Sequence, residues 1–549
     1  MASSQAASHP KVLVIGLDGA TFDVIEPWVS EGHLPNIGRL MREGTWGPLE
    51  STIHPLTPTA WTTFVTGKNP GRHGIYDFAL FRSGSYEPIL TDATHSRAAS
   101  IFQLLSLAGK RVVAYNIPWT FPPEPVNGVM IAGFGAPRFD HRLTFPAEAF
   151  DDLVERVDRV SFEIPPRNDR GVIVEAVEAQ LAQVGEMGRF LLEDQQPDLC
   201  CCVFMATDQV GHVAWERRRA RRETGETIED VLLYTYQLVD AEIGRFLERV
   251  DDSTTVILMS DHGFGSRFGV VDFGTALHEA GIVSYEGGAV PAPRVRRHGS
   301  KGGLLGIIEA AAKAVMPQGL RGRIRTAMTP KFDWSRTRAW VWGRYPKLRF
   351  NVRGREPSGV VEPGRELEEL WEETCECLRG VKDPADGQPI IQDIWRGESL
   401  YEGAPPDDAP DLVATTRGFG YISRDIVTGG TRAFLTEEAK QSVGWRHEQG
   451  GIHRMNGIFI AAGHGIKRGA RIEGANLTDV APTILHLLGV PVPRPMDGKV
   501  LHHALDRGPS AETVYTDGDP PPQERCVTEE MAEDQLEVTA RLRDLGYVD

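Results

Sequence analysis

Cysteine is scarce, with six residues among 549, too few for a disulfide framework. No CxxC pair occurs, which removes the commonest structural zinc motif. Cys200, Cys201 and Cys202 adjoin inside an apolar run and read as small buried hydrophobes. Long hydrophobic runs are missing as well. The longest, residues 199–206, falls far short of the ~20 residues that a transmembrane helix requires. The opening MASSQAASHP has neither the basic nor the apolar region of a secretory signal. The expectation is therefore a reduced, cytoplasmic protein. Positive charge is also in deficit: Lys+Arg number 59 against 76 Asp+Glu, a net charge of −17. That sign argues against nucleic acid as the main partner. Nothing in the pattern sets an oligomeric state.

What is present is ordinary globular composition, 41% hydrophobic and 25% charged, which excludes global disorder. Residues 11–17 (KVLVIGL) form a continuous apolar run, the pattern of a strand covered on both faces. Similar runs recur at 111–115, 199–206, 254–259 and 457–462. Helical patterns lie between them at 26–43, 97–108, 172–194 and 226–250. The alternation predicts an α/β fold with a mostly parallel central sheet and helices on both faces. Residues 286–303, rich in Gly, Pro and Arg, open a different pattern. Strand-like pieces follow at 339–342, 348–352 and 411–415, with a helix over 364–379. The expected organisation is a catalytic core formed by 1–285 and 441–505, and an inserted α+β cap over 286–440. An acidic linker and a C-terminal helix follow over 506–549, with Met531, Val538, Leu542 and Leu545 on one face.

Three apolar runs lead into acidic residues, Asp18, Asp208 and Asp261. Ligands in open α/β sheets bind beyond the carboxyl ends of strands, so these carboxylates are expected to share one crevice. His212 and His262 accompany two of them. A mixed oxygen and nitrogen set of this kind suits zinc or manganese. Singly, each residue has a plainer role: a strand-end Asp commonly caps a turn, and a lone His commonly packs. Their convergence at three strand ends favours a metal site.

In LTPTAWTTFVTG, Thr57 and Pro58 read as the cap and first residue of a short helix that Gly67 ends. Capping alone would explain Thr57. A hydroxyl at a helix N-terminus is also well placed to become an alkoxide beside an incoming phosphate.

The stretches VIGLDGATFDVI, LTPTAWTTFVTGKNPGRHGIYDF, ATDQVGH, MSDHGFG, GGIHRMNGIFIAAG and NLTDVAPTILHLLGVP, in this order, resemble the alkaline phosphatase superfamily. Within it they are similar to the type I phosphodiesterase/nucleotide pyrophosphatase branch. The resemblance spans residues 11 to about 500 and implies a hydrolase of anionic phosphate esters with two divalent metal ions, zinc or alternatively manganese. It places Asp18, Thr57, Asp261 and His262 around one ion and Asp208, His212 and His453 around the other. Thr57 would be the nucleophile, passing through a phosphothreonine. His453 is supplied by the resemblance alone. His73 recurs in the family pattern and reads as structural, and the role of His447 stays open.

One position departs from the pattern. Nucleotide pyrophosphatases usually carry, twenty-one residues after the nucleophile, an Asn that donates to a non-bridging phosphate oxygen; this chain has Phe78. Phe78 and Arg355 are the substrate-contact candidates, Phe78 through apolar packing; Arg344, Lys347 and Arg353 could meet an anion or merely solvate a loop. Sulfatase chemistry is disfavoured, because Thr57 does not stand in a C/S-x-P-x-R motif. A phosphomonoesterase or phosphomutase of the same superfamily is the alternative. A non-catalytic binding protein on the same fold is more remote, since every expected ligand position is filled. Residues 294–331 hold nine basic residues against Glu309. They read either as a core helix (303–316) with solvated ends or as a lid touching anionic substrates or an anionic membrane surface.

Overall fold

The computed structural model describes residues 11–157, 170–216, 220–221, 225–287, 331–405, 407–423, 450–506, 512–525, 535, 537–539 and 542. Residues 294–330, His447, Met531 and Leu545 lie outside that set. Eight strands make the body of the main sheet: β1 (Val12–Leu17), β2 (Thr45–Glu50), β3 (Val112–Ile117), β4 (Gly128–Ala132), β5 (Thr144–Phe145), β6 (Leu199–Phe204), β7 (Thr255–Met259) and β8 (Asn456–Gly463). Their order is β2-β8-β7-β1-β6-β3-β4-β5, with short strands at 470–471 and 475–476 on the far side of β2.

The four central pairings, β7–β1, β1–β6, β6–β3 and β3–β4, are parallel. The run at 457–462 forms a strand as the pattern predicts, but β8 runs antiparallel to both β7 and β2. A fully covered antiparallel strand is as continuously apolar as a parallel one, so direction is invisible in composition.

Alternate residues of each strand enter different layers. Val12, Val14, Cys201 and Val203 pack into one apolar cluster, and Leu13, Ile15, Cys200 and Cys202 into the other. Both faces are therefore covered. Burial pushes the Cys200 thiol up to about 12, consistent with an inert packing role. The helices that matter for the site are α1 (Phe22–Ser30), α2 (Pro35–Glu43), α3 (Thr57–Thr66), α4 (Ala206–Ala214) and α5 (Val231–Leu247). The single helix expected over 26–43 is two helices. Gly32, at φ +82°, and Pro35 at the start of α2 break it.

A third apolar cluster begins at Val271 and takes in Phe273, Leu277 and Ile282. It joins them to a separate four-stranded sheet in the order Ala339–Trp342, Lys347–Phe350, Leu412–Thr416, Ile391–Arg396, and to the helix Arg365–Gly380. The strand at 391–396 escapes the sequence pattern because its burial is irregular, with Gln392 and Asp393 exposed. Val538 and Leu542 are buried in the main core. No helix among the described residues is long and apolar enough to cross a membrane.

Candidate active site

β7, β1 and β6 lie side by side and parallel, so their carboxyl ends open on the same edge. Asp18 directly follows β1. Gly19 turns the chain at φ +67°, where a Cβ would sit 3.1 Å from the Cα of Asp208. Its amide donates to Asp261 Oδ1 at 3.2 Å, tying the β1 end to the β7 end. Asp208 is not at a strand end as expected. β6 stops at Phe204, and Asp208 occupies the first turn of α4, with His212 one turn later on the same helix face.

The structure brings the named metal-ligand candidates together in two groups, Asp18–Asp261–His262 and Asp208–His212–His453, all buried. His453 lies on a short strand, Gly451–Arg454, paired antiparallel with Gly263–Ser266. Its Nδ1 lies 2.7 Å from the carbonyl of Pro55, and its Nε2 lies 3.1 Å from Asp208 Oδ1. The two groups abut, because the His262 and His453 rings stack at 3.7 Å.

Burial sets the electrostatics. It raises the Asp18 and Asp261 carboxyls well above the usual carboxylate range, and the neighbouring carboxylates add to the effect. Burial would raise Asp208 too, but His212 and His453 outweigh it and hold that carboxyl low. Burial lowers His262, and proximity to His453 lowers it further. Neutral imidazoles are the metal-ligating form.

Thr57 is the first residue of α3, not its cap. Leu56 takes the cap position without a side-chain hydrogen bond, which leaves the Thr57 hydroxyl unused by the helix. Gly67 ends the helix at φ +64°, as expected. Thr57 Oγ1, Asp18 Oδ1, Asp261 Oδ2 and His262 Nε2 are all buried without a hydrogen-bond partner. His262 Nε2 faces Asp261 Oδ2 at 3.2 Å and Asp18 Oδ1 at 3.7 Å. Lone-pair donors gathered this way are costly in a dry interior and suit a divalent cation. Thr59 Oγ1 is also buried and unpartnered, so burial alone does not separate the two hydroxyls.

Trp61, absent from the sequence-derived set, donates its indole N–H to Asp18 Oδ2 at 2.8 Å. It stands four residues after Thr57 on α3, and that spacing was the available signal. His73 is fully buried. The Ile75 amide donates to its Nδ1 at 3.2 Å, so its Nε2–H donates to Thr63 Oγ1 at 2.9 Å. Phe78 has no exposed surface and packs edge-on against Trp119 at 5.2 Å. Arg355 is committed to Glu356 and Asp411. Lys347 pairs with Asp77 and Arg353 with Glu362. The Arg344 charge is felt at His453.

A family model described as type I phosphodiesterase/nucleotide pyrophosphatase matches residues 12–429. The chain belongs to this family. The matched span contains six of the seven metal-ligand and nucleophile candidates and stops before His453. Membership makes the chain a phosphohydrolase of the phosphodiesterase/nucleotide pyrophosphatase class. Among solved structures it is similar to human ectonucleotide pyrophosphatase/phosphodiesterase 5, at 13% identity and a TM-score of 0.49, over 90% of this chain and 100% of that one. It is also similar to an inactive form of the murine protein in complex with AMP, at 13% identity and a TM-score of 0.48, over 88% and 96% of the two chains. No curated protein matches the chain in sequence.

Proposed function

We propose that this phosphodiesterase-family protein is a two-metal hydrolase of phosphoric diesters or pyrophosphates that uses Thr57 as its nucleophile. The reading rests on one observation above the rest: Asp18, Asp261 and His262 form a buried cluster with unpartnered atoms, and α3, which begins at the buried and unpartnered Thr57, is tied to that cluster by the Trp61–Asp18 hydrogen bond. Asp18, Thr57, Asp261 and His262 would hold one ion and Asp208, His212 and His453 the other. Zinc fits this donor set, with manganese the alternative. When bound, divalent ions supply Lewis-acid charge for an in-line phosphoryl displacement.

The protein's part is positional. Thr57 sits where the α3 dipole favours an anionic oxygen. Loss of its hydroxyl proton to solvent and attack on phosphorus form the Thr57 Oγ1–P bond as the P–O bond to the leaving alcohol breaks. Water then attacks the phosphothreonine, releasing the phosphate product and regenerating the hydroxyl. Trp61 fixes one Asp18 oxygen so that the other stays turned into the site.

A phosphomonoesterase of the same superfamily is the second reading. The test is a paired assay of metal-loaded protein on bis(4-nitrophenyl) phosphate, a nucleotide 4-nitrophenyl diester and 4-nitrophenyl phosphate. The diesters are expected to give the higher kcat/KM; a higher value for the monoester reverses the preference. Thr57→Ala should remove turnover at least a thousandfold while metal content and Tm hold, and Thr59→Ala should retain activity. The opposite pattern would move the nucleophile to Thr59.

A further inference from the structure

We propose that Tyr345 is a substrate-binding residue whose phenolic hydroxyl donates to a non-bridging oxygen of the phosphoryl group, the task left open by phenylalanine at position 78. The inference rests on the phosphohydrolase reading above and adds a residue from outside the catalytic core. Tyr345 lies in the turn between the strands Ala339–Trp342 and Lys347–Phe350 of the second sheet. That turn is firmly held. The Ser423 amide donates to Arg344 O at 2.6 Å, the Ala414 amide donates to Pro346 O at 2.9 Å, and Lys347 Nζ is 2.5 Å from Asp77.

The turn delivers the Tyr345 ring to the segment that leads into α3. Its ring stacks on His54 at 5.0 Å and 24°, three residues before Thr57, and Phe419 closes its other side edge-on at 5.8 Å. The same cap residue serves both partners, because Ala414 O lies 2.8 Å from His54 Nε2. Two residues before Thr57, the Pro55 carbonyl holds His453. Thus the segment 54–57 touches the cap tyrosine, a metal-ligand candidate and the nucleophile in succession.

Tyr345 is 1% exposed, yet its hydroxyl has no hydrogen-bond partner. Buried phenols normally find one. The charged groups that act on it are Arg344, Arg454, Asp208 and Asp77, so the hydroxyl lies within reach of the Asp208 group's field. Burial outweighs the opposing pull of Arg344 and Arg454 and keeps the phenol protonated and thus a donor. Position 78 cannot serve, since the Phe78 ring is closed into the core against Trp119. A preorganised donor waiting in a dry site is the arrangement that stabilises developing phosphoryl charge most effectively.

Two substitutions separate binding from packing. Tyr345→Phe keeps the ring between His54 and Phe419 and removes only the donor; Tyr345→Leu removes both. Each variant, metal-loaded, is assayed on bis(4-nitrophenyl) phosphate and titrated calorimetrically with inorganic phosphate. Tyr345→Phe is expected to lower kcat/KM by about ten- to a hundredfold and phosphate affinity by about tenfold, with metal content and Tm unchanged. Tyr345→Leu should lose as much and also lower Tm. Retention of both kcat/KM and phosphate affinity within twofold in Tyr345→Phe overturns the proposal. Should the wild type bind phosphate but cleave no ester, the hydrolase reading fails while phosphate affinity still judges Tyr345. A wild type that binds no phosphate overturns both.

Discussion

His73 is a buried side chain beside α3 whose contacts hold the fold. Both ring nitrogens are used, one as acceptor from Ile75 and one as donor to Thr63, which fixes a neutral tautomer. Burial, with help from Arg97 and Lys68, lowers its pKa to about 3. An unfolded histidine binds a proton near pH 6.5. Between those values the unfolded state holds the extra proton, so stability falls as pH drops from about 6.5 towards 3. The effect is on the order of 5 kcal/mol across that window. Thermal melts of wild type and His73→Gln between pH 7.5 and 4.5 should show a shallower acid limb in the variant. Equal slopes would place the acid sensitivity elsewhere.

The same scale explains what could be read from sequence. Asp18 and Asp261 were legible because they stand at the ends of apolar strands; Asp208 was legible only as the end of an apolar run, which put it at a strand end, whereas it lies in the first turn of α4 with His212 one turn on. His453 has no such signature. It belongs to a short antiparallel strand whose partner, 263–266, is defined only by long-range pairing. Tyr345 was illegible for a related reason. Nothing local in GRYPK indicates that the turn folds back onto His54.

At the scale of elements, the four-stranded sheet meets the segment that follows α3 through Lys347 and Asp77, both almost fully buried. Sequence offered Lys347 as a possible anion contact; its pairing with Asp77 and its place 5.2 Å from the Trp342 ring centroid make it a structural bolt instead. Removing one partner strands a buried charge. Lys347→Met is expected to destabilise by about 3–5 kcal/mol, whereas the double change Asp77→Leu with Lys347→Met should recover most of it. Chemical denaturation of the three proteins checks this, and a double variant as weak as the single one would refute the pairing argument. Element existence was well marked by apolar runs, while element direction and breaks were not. β8 reads like its parallel neighbours, and the break at Gly32–Pro35 interrupts a pattern that stays amphipathic on both sides.

For the whole molecule, the two ligand groups stitch together segments from Asp18 to His453. Ions that bind only the folded state stabilise by mass action, about 4 kcal/mol at a thousandfold excess over Kd. Chelation should therefore lower Tm by several degrees as well as stop turnover, and zinc or manganese should restore both. Asp208→Ala and Asp18→Ala should each bind about one ion fewer by elemental analysis. An unchanged Tm and full activity in chelator would be incompatible with the two-metal reading.

The position of β8 has a further consequence for how the chain is made. β8 fills the place between β2 and β7, and the carbonyl that holds His453 comes 398 residues before it. During synthesis β2 therefore leaves the ribosome long before the strand that will flank it exists. Until residues 456–463 emerge, β2 has no strand partner and the growing sheet ends at β7, whose amides and carbonyls on that border stay unpaired. Such an edge accepts any extended chain nearby, so from the completion of β7 until β8 emerges the nascent protein is exposed to mispairing and depends on late closure of that side of its sheet.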